Sequence, residues 1–369
     1  MSASANHFAV RPDWLARHDE DAIDPQRPIV DAHHHLYDRP DLRYLFDDYM
    51  ADISSGHDIR ASVFVQARAM LRADGPAELR AIGETEWVNG IAAMSASGLY
   101  GKARICAGIV GYADLTLGDA VRPVLERHII AGGGLINEGG RFRGIRQTLC
   151  WDRDSSLLNP VYSVSEDMMD SPSFRAGFAQ LAPLGLGFEV WTFFPQLPAV
   201  ARLARAFPET RIVLNHCGGV VRIHDYAGRA DVLEQWKTGI EEVARCPNVT
   251  VKLSGLGMKL SGFDFDAGEL PPTSGRLAEA WSPWIGPCLD AFGAQRCMWG
   301  SNFPVDKGSY ALKIGLNALK RITSGASEDE KDFIFWRTAS EFYRLPDAIL
   351  NICRHGTDFP VTDTARRKQ

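Results

Sequence analysis

The chain has 369 residues, of which 45% are hydrophobic and 23% charged, and its formal net charge is -6. This composition is typical of a soluble protein with a sizeable core, and the acidic balance gives no support to nucleic-acid binding. The seven cysteines form no C-x-x-C pair, and no apolar run approaches the length of a membrane span. We therefore expect a cytoplasmic protein with reduced thiols that acts on a small molecule, without nucleic-acid or membrane partners. Homo-oligomer formation stays open.

Short β-rich runs alternate with segments of helical spacing along most of the chain. Residues 1–27 are polar and Pro-containing, which predicts an extension packed on the body or partly disordered. The predicted strands are the run that begins at Pro28 and the segments 61–67, 103–110, 142–147, 186–193, 211–216, 248–253 and 297–300. The predicted helices are 77–97, 118–130, 171–182, 196–207, 229–245, 277–292, 308–322 and 327–343.

Eight strands alternating with helices predict a parallel sheet, because each crossover between parallel strands needs a long connection. Eight is also the number that closes a (β/α)8 TIM barrel. No Pro- or Ser-rich linker divides the chain, so we expect one barrel domain over 28–345 with an extra C-terminal helix and a tail at 346–369. The last helix begins with a capping box from Ser327 to Glu330.

Three consecutive histidines follow the first predicted strand. Residues i and i+2 on a strand point to the same side, so His33 and His35 are expected to share a cavity while His34 faces away. Two neutral imidazoles side by side can hold a divalent metal or donate hydrogen bonds to a carbonyl oxygen. The alternative is a polar loop with weak metal affinity.

The carboxyl ends of the other strands carry further polar side chains, and chemistry in such barrels is located there. These side chains are Gln66, Arg68, Arg146, Glu189, Trp191, His216, Lys252, Ser254, Asn302 and Asp306. His216 could instead cap its strand, Arg146 could form a structural ion pair, and Trp191 could serve packing alone. Lys252 lies in an apolar strand, so it is either paired or faces the barrel interior. The remaining histidines are expected on the surface or in loops: His7, His18, His57, His128, His224 and His355.

These motifs, taken together and in this order, resemble the amidohydrolase superfamily. The likeness is closest to its amidohydrolase-2 branch of TIM-barrel hydrolases, which includes sugar lactonases and 2-pyrone-4,6-dicarboxylate lactonase. The segments that carry the resemblance are 30–35, 143–146, 215–218, 251–257, 301–306 and 338–345. The resemblance implies that His33, His35 and His216 polarise a lactone carbonyl, as in the metal-free lactonases of the family. It also implies that Arg146 binds a substrate carboxylate.

Two departures from the family pattern concern metal binding. The strand-eight position that is usually aspartate in S-D-x-P is Asn302, and Phe194 stands where many relatives have histidine. An amide and a phenyl ring cannot replace an anionic or imidazole ligand. One divalent metal, zinc above all, could still bind to His33, His35 and His216. The loss of two ligands favours the metal-independent alternative.

Hydrolysis still needs a base that accepts a proton from water. Asp306 is the preferred candidate because it follows strand eight within one loop, and Glu189 and Asp31 are the alternatives. Asp306 could otherwise cap a helix or pair with Lys307 or Arg296.

The sequence therefore predicts a hydrolase that opens a lactone or similar ester of a small carboxylated molecule. Its expected catalytic residues are His33, His35, His216, Asp306 and Asn302. The expected substrate contacts are Arg146, Gln66, Trp191 and Lys252. A metal-dependent decarboxylase or hydratase of the same barrel family, or a diverged barrel that binds a ligand, are the alternatives.

Overall fold

The computed structural model describes residues 8–39 and 42–346. Its centre is one sheet of eight parallel strands, each paired with the next in the chain. These strands are Pro28–His34, Asp58–Val65, Arg104–Gly111, Phe142–Thr148, Gly187–Trp191, Ile212–Leu214, Val249–Leu253 and Cys297–Trp299. Beyond the eighth strand, Asn302 N donates to His33 O at 2.7 Å and His35 N donates to Phe303 O at 2.8 Å. These two bonds join the last strand to the first, so the predicted (β/α)8 barrel is confirmed.

Helices cover the outside of the barrel close to their predicted positions. The longer ones are Ile82–Ala96, Arg122–Ala131, Pro172–Phe178, Leu197–Ala206, Val232–Ala244, Ser274–Phe292 and Leu312–Ile322. The last predicted helix is continuous but contains a π-helical turn at Phe333–Arg337, between Glu328–Asp332 and Thr338–Phe342. Its capping box is confirmed, since the Ser327 and Glu330 side chains each accept from the other residue's backbone N–H.

Three elements near the amino end of the chain were not predicted. They are a short helix at Pro12–Leu15, a hairpin formed by Tyr37–Arg39 and Leu42–Tyr44, and a helix at Phe46–Ile53. The described part of the extension packs on the body, because the Glu20 carboxylate accepts from Ser274 N at 2.7 Å and Asn317 Nδ2 at 3.2 Å. Residues 1–7 and the predicted tail from 347 onward lie outside the described residues.

The buried apolar residues form two separate layers. The larger one lies between the sheet and the helices. The smaller one consists of short side chains from the strands, such as Val30, Ala61 and Val213, together with Trp336 and Tyr343 from the C-terminal helix. This helix therefore closes one end of the barrel, and the polar site lies at the other. Among the described residues, no helix has the length and apolar character needed to cross a membrane.

Candidate active site

The first strand changes register just before the histidines. Asp31 pairs with Ser62 and His34 with Phe64, so three steps along the first strand match two along the second. Strict alternation from Val30 would turn His34 inward, and the extra residue turns His33 and His35 inward instead. Their Nε2 atoms are 3.2 Å apart. His34 faces the other way and stacks on Tyr49 at 4.1 Å, as expected.

The ring nitrogens of the inward pair have defined partners. His35 Nδ1 lies 2.7 Å from Val65 O, which can only accept, so the proton of His35 is on Nδ1. His33 Nδ1 lies 3.1 Å from Lys252 Nζ, and its Nε2 lies 3.2 Å from Arg146 NH1. His33 is thus held between an ammonium, a guanidinium and a second imidazole.

His216 joins this pair from the opposite side of the barrel. Its ring centroid is 4.5 Å from that of His33 and 4.7 Å from that of Trp191. The backbone at His216 has φ 53°, a left-handed conformation that is rare outside glycine and is concentrated at functional sites. Its Nδ1 lies 2.9 Å from Ser254 Oγ, so the predicted alternative, a bond to backbone, is wrong. Gly255 leaves room for the ring, because a Cβ there would lie 2.5 Å from His216 Cγ.

All three imidazoles are neutral near pH 7. Burial disfavours the imidazolium form and lowers the pKa of His33, His35 and His216 well below the ordinary value. The positive charges of Lys252 and Arg146 lower these pKa values further. The rings can therefore donate or accept a hydrogen bond without first losing a proton.

Arg146 is not part of a structural ion pair within the described residues. Its NH2 donates to Gln66 O at 2.6 Å, and its Nε is buried without a partner. Gln66 donates weakly to Tyr162 OH at 3.3 Å, while its Oε1 is buried and unpartnered. The guanidinium of Arg68 lies over the Tyr162 ring at 5.5 Å. Unsatisfied donors and acceptors in one buried place indicate a polar ligand that completes them.

Lys252 does not lie at the rim. It is fully buried beneath His33, and its Nζ donates to Glu189 Oε2 at 2.6 Å. Asn215 Nδ2 donates to the same oxygen at 2.9 Å, and Tyr343 donates to the other. Burial lowers the pKa of Lys252 to about 8, although Glu189 acts in the opposite direction. Lys252 is therefore paired inside the barrel, one of the two arrangements expected from its position in an apolar strand, and Glu189 is its partner.

Asp306 is buried within one loop of the last strand. Its Oδ1 accepts from Asn302 Nδ2 at 2.7 Å, and its Oδ2 accepts from Tyr310 OH at 2.8 Å and Gly257 N at 3.1 Å. Burial raises its pKa to about 7, and these three bonds limit the rise. Asn302 also donates its backbone N–H to His33 O, so it links the carboxyl to the histidines. Asp306 pairs with neither of the cations considered from sequence, since Lys307 bonds Asp52 and Arg296 bonds backbone oxygens.

Asp31, the other alternative base, lies at the junction of the first and last strands. It is fully buried, and its oxygens accept from Ser301 N at 2.8 Å, His33 N at 3.1 Å and Tyr49 OH at 2.9 Å. Its role is to hold the first and last strands together.

Of the histidines expected on the surface or in loops, His57 lies in a loop but is buried. His128 is buried within the helix Arg122–Ala131, so the expectation was wrong for His128. His57 contacts Lys320 Nζ through its Nδ1 at 3.1 Å, and His128 bonds Thr85 and Tyr112 O. His224 is partly exposed and pairs with Asp154, as a loop residue would.

Sequence reasoning missed Glu84 and Tyr162. Glu84 Oε1 accepts from Ala67 N at 2.9 Å and Ala69 N at 2.7 Å, which fixes the loop that carries Arg68. Burial raises the pKa of Glu84 to about 7. The sequence did contain a signal for Glu84: it falls among the apolar positions of the predicted helix 77–97, which indicates a buried carboxylate. Tyr162 lies in a loop with no motif, so no sequence signal indicated it.

The donor set is poorly suited to a divalent metal. Two imidazole nitrogens 3.2 Å apart could share one ion, yet both ring nitrogens of His33 face cations. Glu189 Oε2 lies 3.8 Å from His33 Nδ1 but already accepts from Lys252, and both oxygens of Asp306 also accept hydrogen bonds, so neither carboxylate is available to offset the ion's charge. Within residues 8–39 and 42–346, no three His, Cys, Asp or Glu side chains are placed to hold one ion. The residues present do not fit a bound metal.

At the carboxyl rim of the (β/α)8 barrel, neutral imidazoles therefore lie beside a guanidinium that forms no ion pair with the described residues, an arrangement able to stabilise negative charge. The amidohydrolase family model matches residues 30–345, and the chain belongs to this family. It is an enzyme of the hydrolase class. This confirms the family resemblance carried by the sequence motifs.

Individual relatives agree with this assignment. The uncharacterized protein y4mH of Sinorhizobium fredii is 31% identical over 86% of this chain and 98% of its own length. An L-fucono-1,5-lactonase of Burkholderia ambifaria is 28% identical over 65% of this chain and 71% of its own. The crystal structure of an amidohydrolase from Burkholderia multivorans with bound zinc has a TM-score of 0.65 at 24% identity, covering 86% of this chain and 99% of that one. The last comparison supports the fold.

Proposed function

We propose that this hydrolase opens a lactone or similar ester of a small carboxylated molecule. The observation that carries the proposal is the contact set of His33, whose Nε2 lies 3.2 Å from both His35 Nε2 and Arg146 NH1. Neutral imidazoles and a guanidinium in a water-poor site stabilise the negative charge that develops on a carbonyl oxygen. The relative named L-fucono-1,5-lactonase supports a lactone as the electrophile.

The unsatisfied polar atoms support a ligand that both donates and accepts. Arg146 Nε needs an acceptor, which a carboxylate supplies, and Gln66 Oε1 needs a donor, which a hydroxyl supplies. A guanidinium binds carboxylate more strongly than it binds a neutral oxygen. Trp191, beside His216 and 9% exposed, offers an apolar wall to the ring of the substrate. A hydroxylated lactone with a carboxylate substituent satisfies all of these groups.

In the proposed reaction, a water oxygen attacks the lactone carbonyl carbon while Asp306 accepts a proton from that water. The carbonyl oxygen gains negative charge, which the N–H donors of His33 and Arg146 stabilise. The ring C–O bond then breaks, and the leaving oxygen takes from Asp306 the proton that came from water, which gives the hydroxy acid and restores the carboxylate. Asn302 holds Asp306 through its amide N–H, a bond that an aspartate at position 302 could not donate at neutral pH. No step of this reaction needs a metal.

The test is hydrolysis of a panel of lactones, measured through the protons that the product acid releases. Each lactone is tried with enzyme dialysed against a chelator and with zinc-supplemented enzyme. The panel pairs lactones that carry a carboxylate with neutral lactones of the same ring size. We expect turnover that chelation leaves unchanged and that favours the carboxylated member of each pair. Inactivity on every lactone under both conditions would count against the proposal. A strict zinc requirement would disprove the metal-free reaction.

A further inference from the structure

Three hydrogen-bonding contacts of His33 restrict where its proton can be, since the Glu189 Oε2 atom, 3.8 Å from Nδ1, lies beyond hydrogen-bond distance. A neutral imidazole has one N–H donor and one acceptor nitrogen. Its Nδ1 faces Lys252 Nζ at 3.1 Å, and its Nε2 faces His35 Nε2 and Arg146 NH1, each at 3.2 Å. His35 Nε2 carries no proton, because the proton of that ring is on Nδ1, bonded to Val65 O.

A proton on Nε2 of His33 satisfies two of these contacts. Nδ1 then accepts from the ammonium of Lys252, and Nε2–H donates to the free nitrogen of His35. A proton on Nδ1 would face the ammonium, donor against donor, and would leave two nitrogen lone pairs opposed between His33 and His35. That arrangement satisfies the Arg146 contact alone. The first tautomer is therefore strongly preferred.

This preference depends on Lys252 keeping its charge while fully buried. Glu189 provides the countercharge at 2.6 Å, and both of its oxygens accept further bonds, from Asn215 and Tyr343. An isolated buried ammonium would be very costly, whereas a paired and fully hydrogen-bonded one is not. Lys252 is also too deep to reach a substrate, since His33 lies between it and the rim.

We propose that Lys252 is a positioning residue that fixes His33 in the tautomer with its proton on Nε2. Two N–H donors, from His33 Nε2 and Arg146 NH1, then lie side by side at the rim, 3.2 Å apart. A carbonyl oxygen that becomes an oxyanion accepts both, and His33 exchanges its bond to His35 for one to the substrate. The role of His33 as an oxyanion donor rests on the proposed lactone hydrolysis. The position of its proton does not depend on that proposal.

Nuclear magnetic resonance of ¹⁵N-histidine-labelled full-length protein at pH 7 tests the tautomer directly. A His33→Gln variant assigns the His33 signals by their disappearance. We expect a protonated Nε2 and an unprotonated Nδ1 in the wild-type protein. A proton on Nδ1 of His33 would overturn the proposal, whatever activity the enzyme has. The expected tautomer in an enzyme inactive on every lactone would uphold Lys252 as a positioning residue and reject lactone hydrolysis.

The Lys252→Met variant keeps the length of the side chain and removes the donor. We expect the His33 signals to show a larger share of the tautomer with its proton on Nδ1. We expect kcat to fall in proportion to the share that keeps the proton on Nε2, by at most about 10²-fold, the typical cost of one lost oxyanion donor, with KM changed by less than about threefold. Lys320→Met is the matched control, because it removes a contact of the same length to Nδ1 of His57 away from the rim. An unchanged His33 tautomer in folded Lys252→Met protein would refute the assignment. If that variant does not fold, Glu189→Gln, which removes the countercharge, must show the same shift of the His33 signals.

Discussion

Asp306 is the residue through which chemistry and stability should respond to pH in opposite ways. Burial raises its pKa from 3.8 to about 7. As the proposed base it works only when ionised, so kcat/KM should rise with pH through about 7 and fall roughly tenfold for each unit below. The Asp306→Asn variant keeps the shape of the side chain without the base. We expect it to lose about 10²- to 10⁴-fold in kcat, the usual contribution of a general base.

The same shift has a stability consequence with a definite sign. The folded protein holds the Asp306 proton up to about pH 7, whereas the unfolded chain releases it near 3.8. This contribution to stability is fully present below pH 3.8 and is lost as pH rises through 7. Each unit is worth about 1.4 kcal/mol, so the loss is about 4 kcal/mol in all and about 3 kcal/mol between pH 5 and pH 8.

Urea unfolding of wild-type and Asp306→Asn protein at pH 5 and pH 8 measures this term. The other titrating groups cancel in the comparison, so the variant should lose about 3 kcal/mol less than the wild type over this interval. Tyr310→Phe, which removes a donor to the ionised form, should move the acid limb of kcat/KM to higher pH. An Asp306→Asn enzyme within threefold of wild-type kcat, or equal pH dependence of unfolding in both proteins, would refute the reasoning.

Three further predictions test the rim. Arg146→Met removes an oxyanion donor, so it should lower kcat about 10²-fold on every lactone. It should lower kcat/KM for a carboxylated lactone about 10- to 100-fold further than for its neutral counterpart, because a hydrogen bond to a charged group contributes about 1.5–3 kcal/mol; an equal loss on both would contradict a carboxylate contact. Gly255→Ala should displace the His216 ring and greatly reduce kcat. The control Gly286→Ala, whose Cβ meets nothing within 4 Å, should leave kcat unchanged. A fully active Gly255→Ala enzyme would show that the position of the His216 ring is unimportant. Dialysis against a chelator, checked by elemental analysis, should leave kcat within twofold, and loss of activity restored by zinc would show that a metal is needed.

The strand order and most of the rim could be predicted from sequence, because both follow from local patterns. Apolar runs alternate with helical spacing from Pro28 onward, and the polar residue that follows each run falls at the same end of a parallel barrel. That rule placed His33, His216 and Arg146 near one another without any knowledge of contacts. The hairpin after the first strand was missed because its strands have three residues each, too few to show a period.

Contacts between distant parts of the chain could not be read in this way. Tyr343 donates to Glu189 across 154 residues, and nothing in either local sequence signals the other. His57 is buried because Lys320 lies above it, 263 residues away. The inward turn of His33 was predicted from alternation, yet it depends on the register shift after Asp31, so the result was right while the reason was incomplete.

The distance of a residue below the barrel rim decides what each charge of the site does. The two-residue alternation of a strand predicts which face a side chain points to, but not this distance. Arg146 and Glu189 are partners in register on neighbouring strands, and a simple pairing rule would join them. Lys252 instead takes the carboxylate at 2.6 Å, one level below the rim. One buried anion shared between two buried cations would have weakened both contacts. Because Glu189 pairs with Lys252 and its oxygens also accept from Asn215 and Tyr343, the Lys252 ammonium is neutralised and held on His33. Arg146 forms no ion pair with the described residues, so its charge stays available at the place where an anionic substrate would enter.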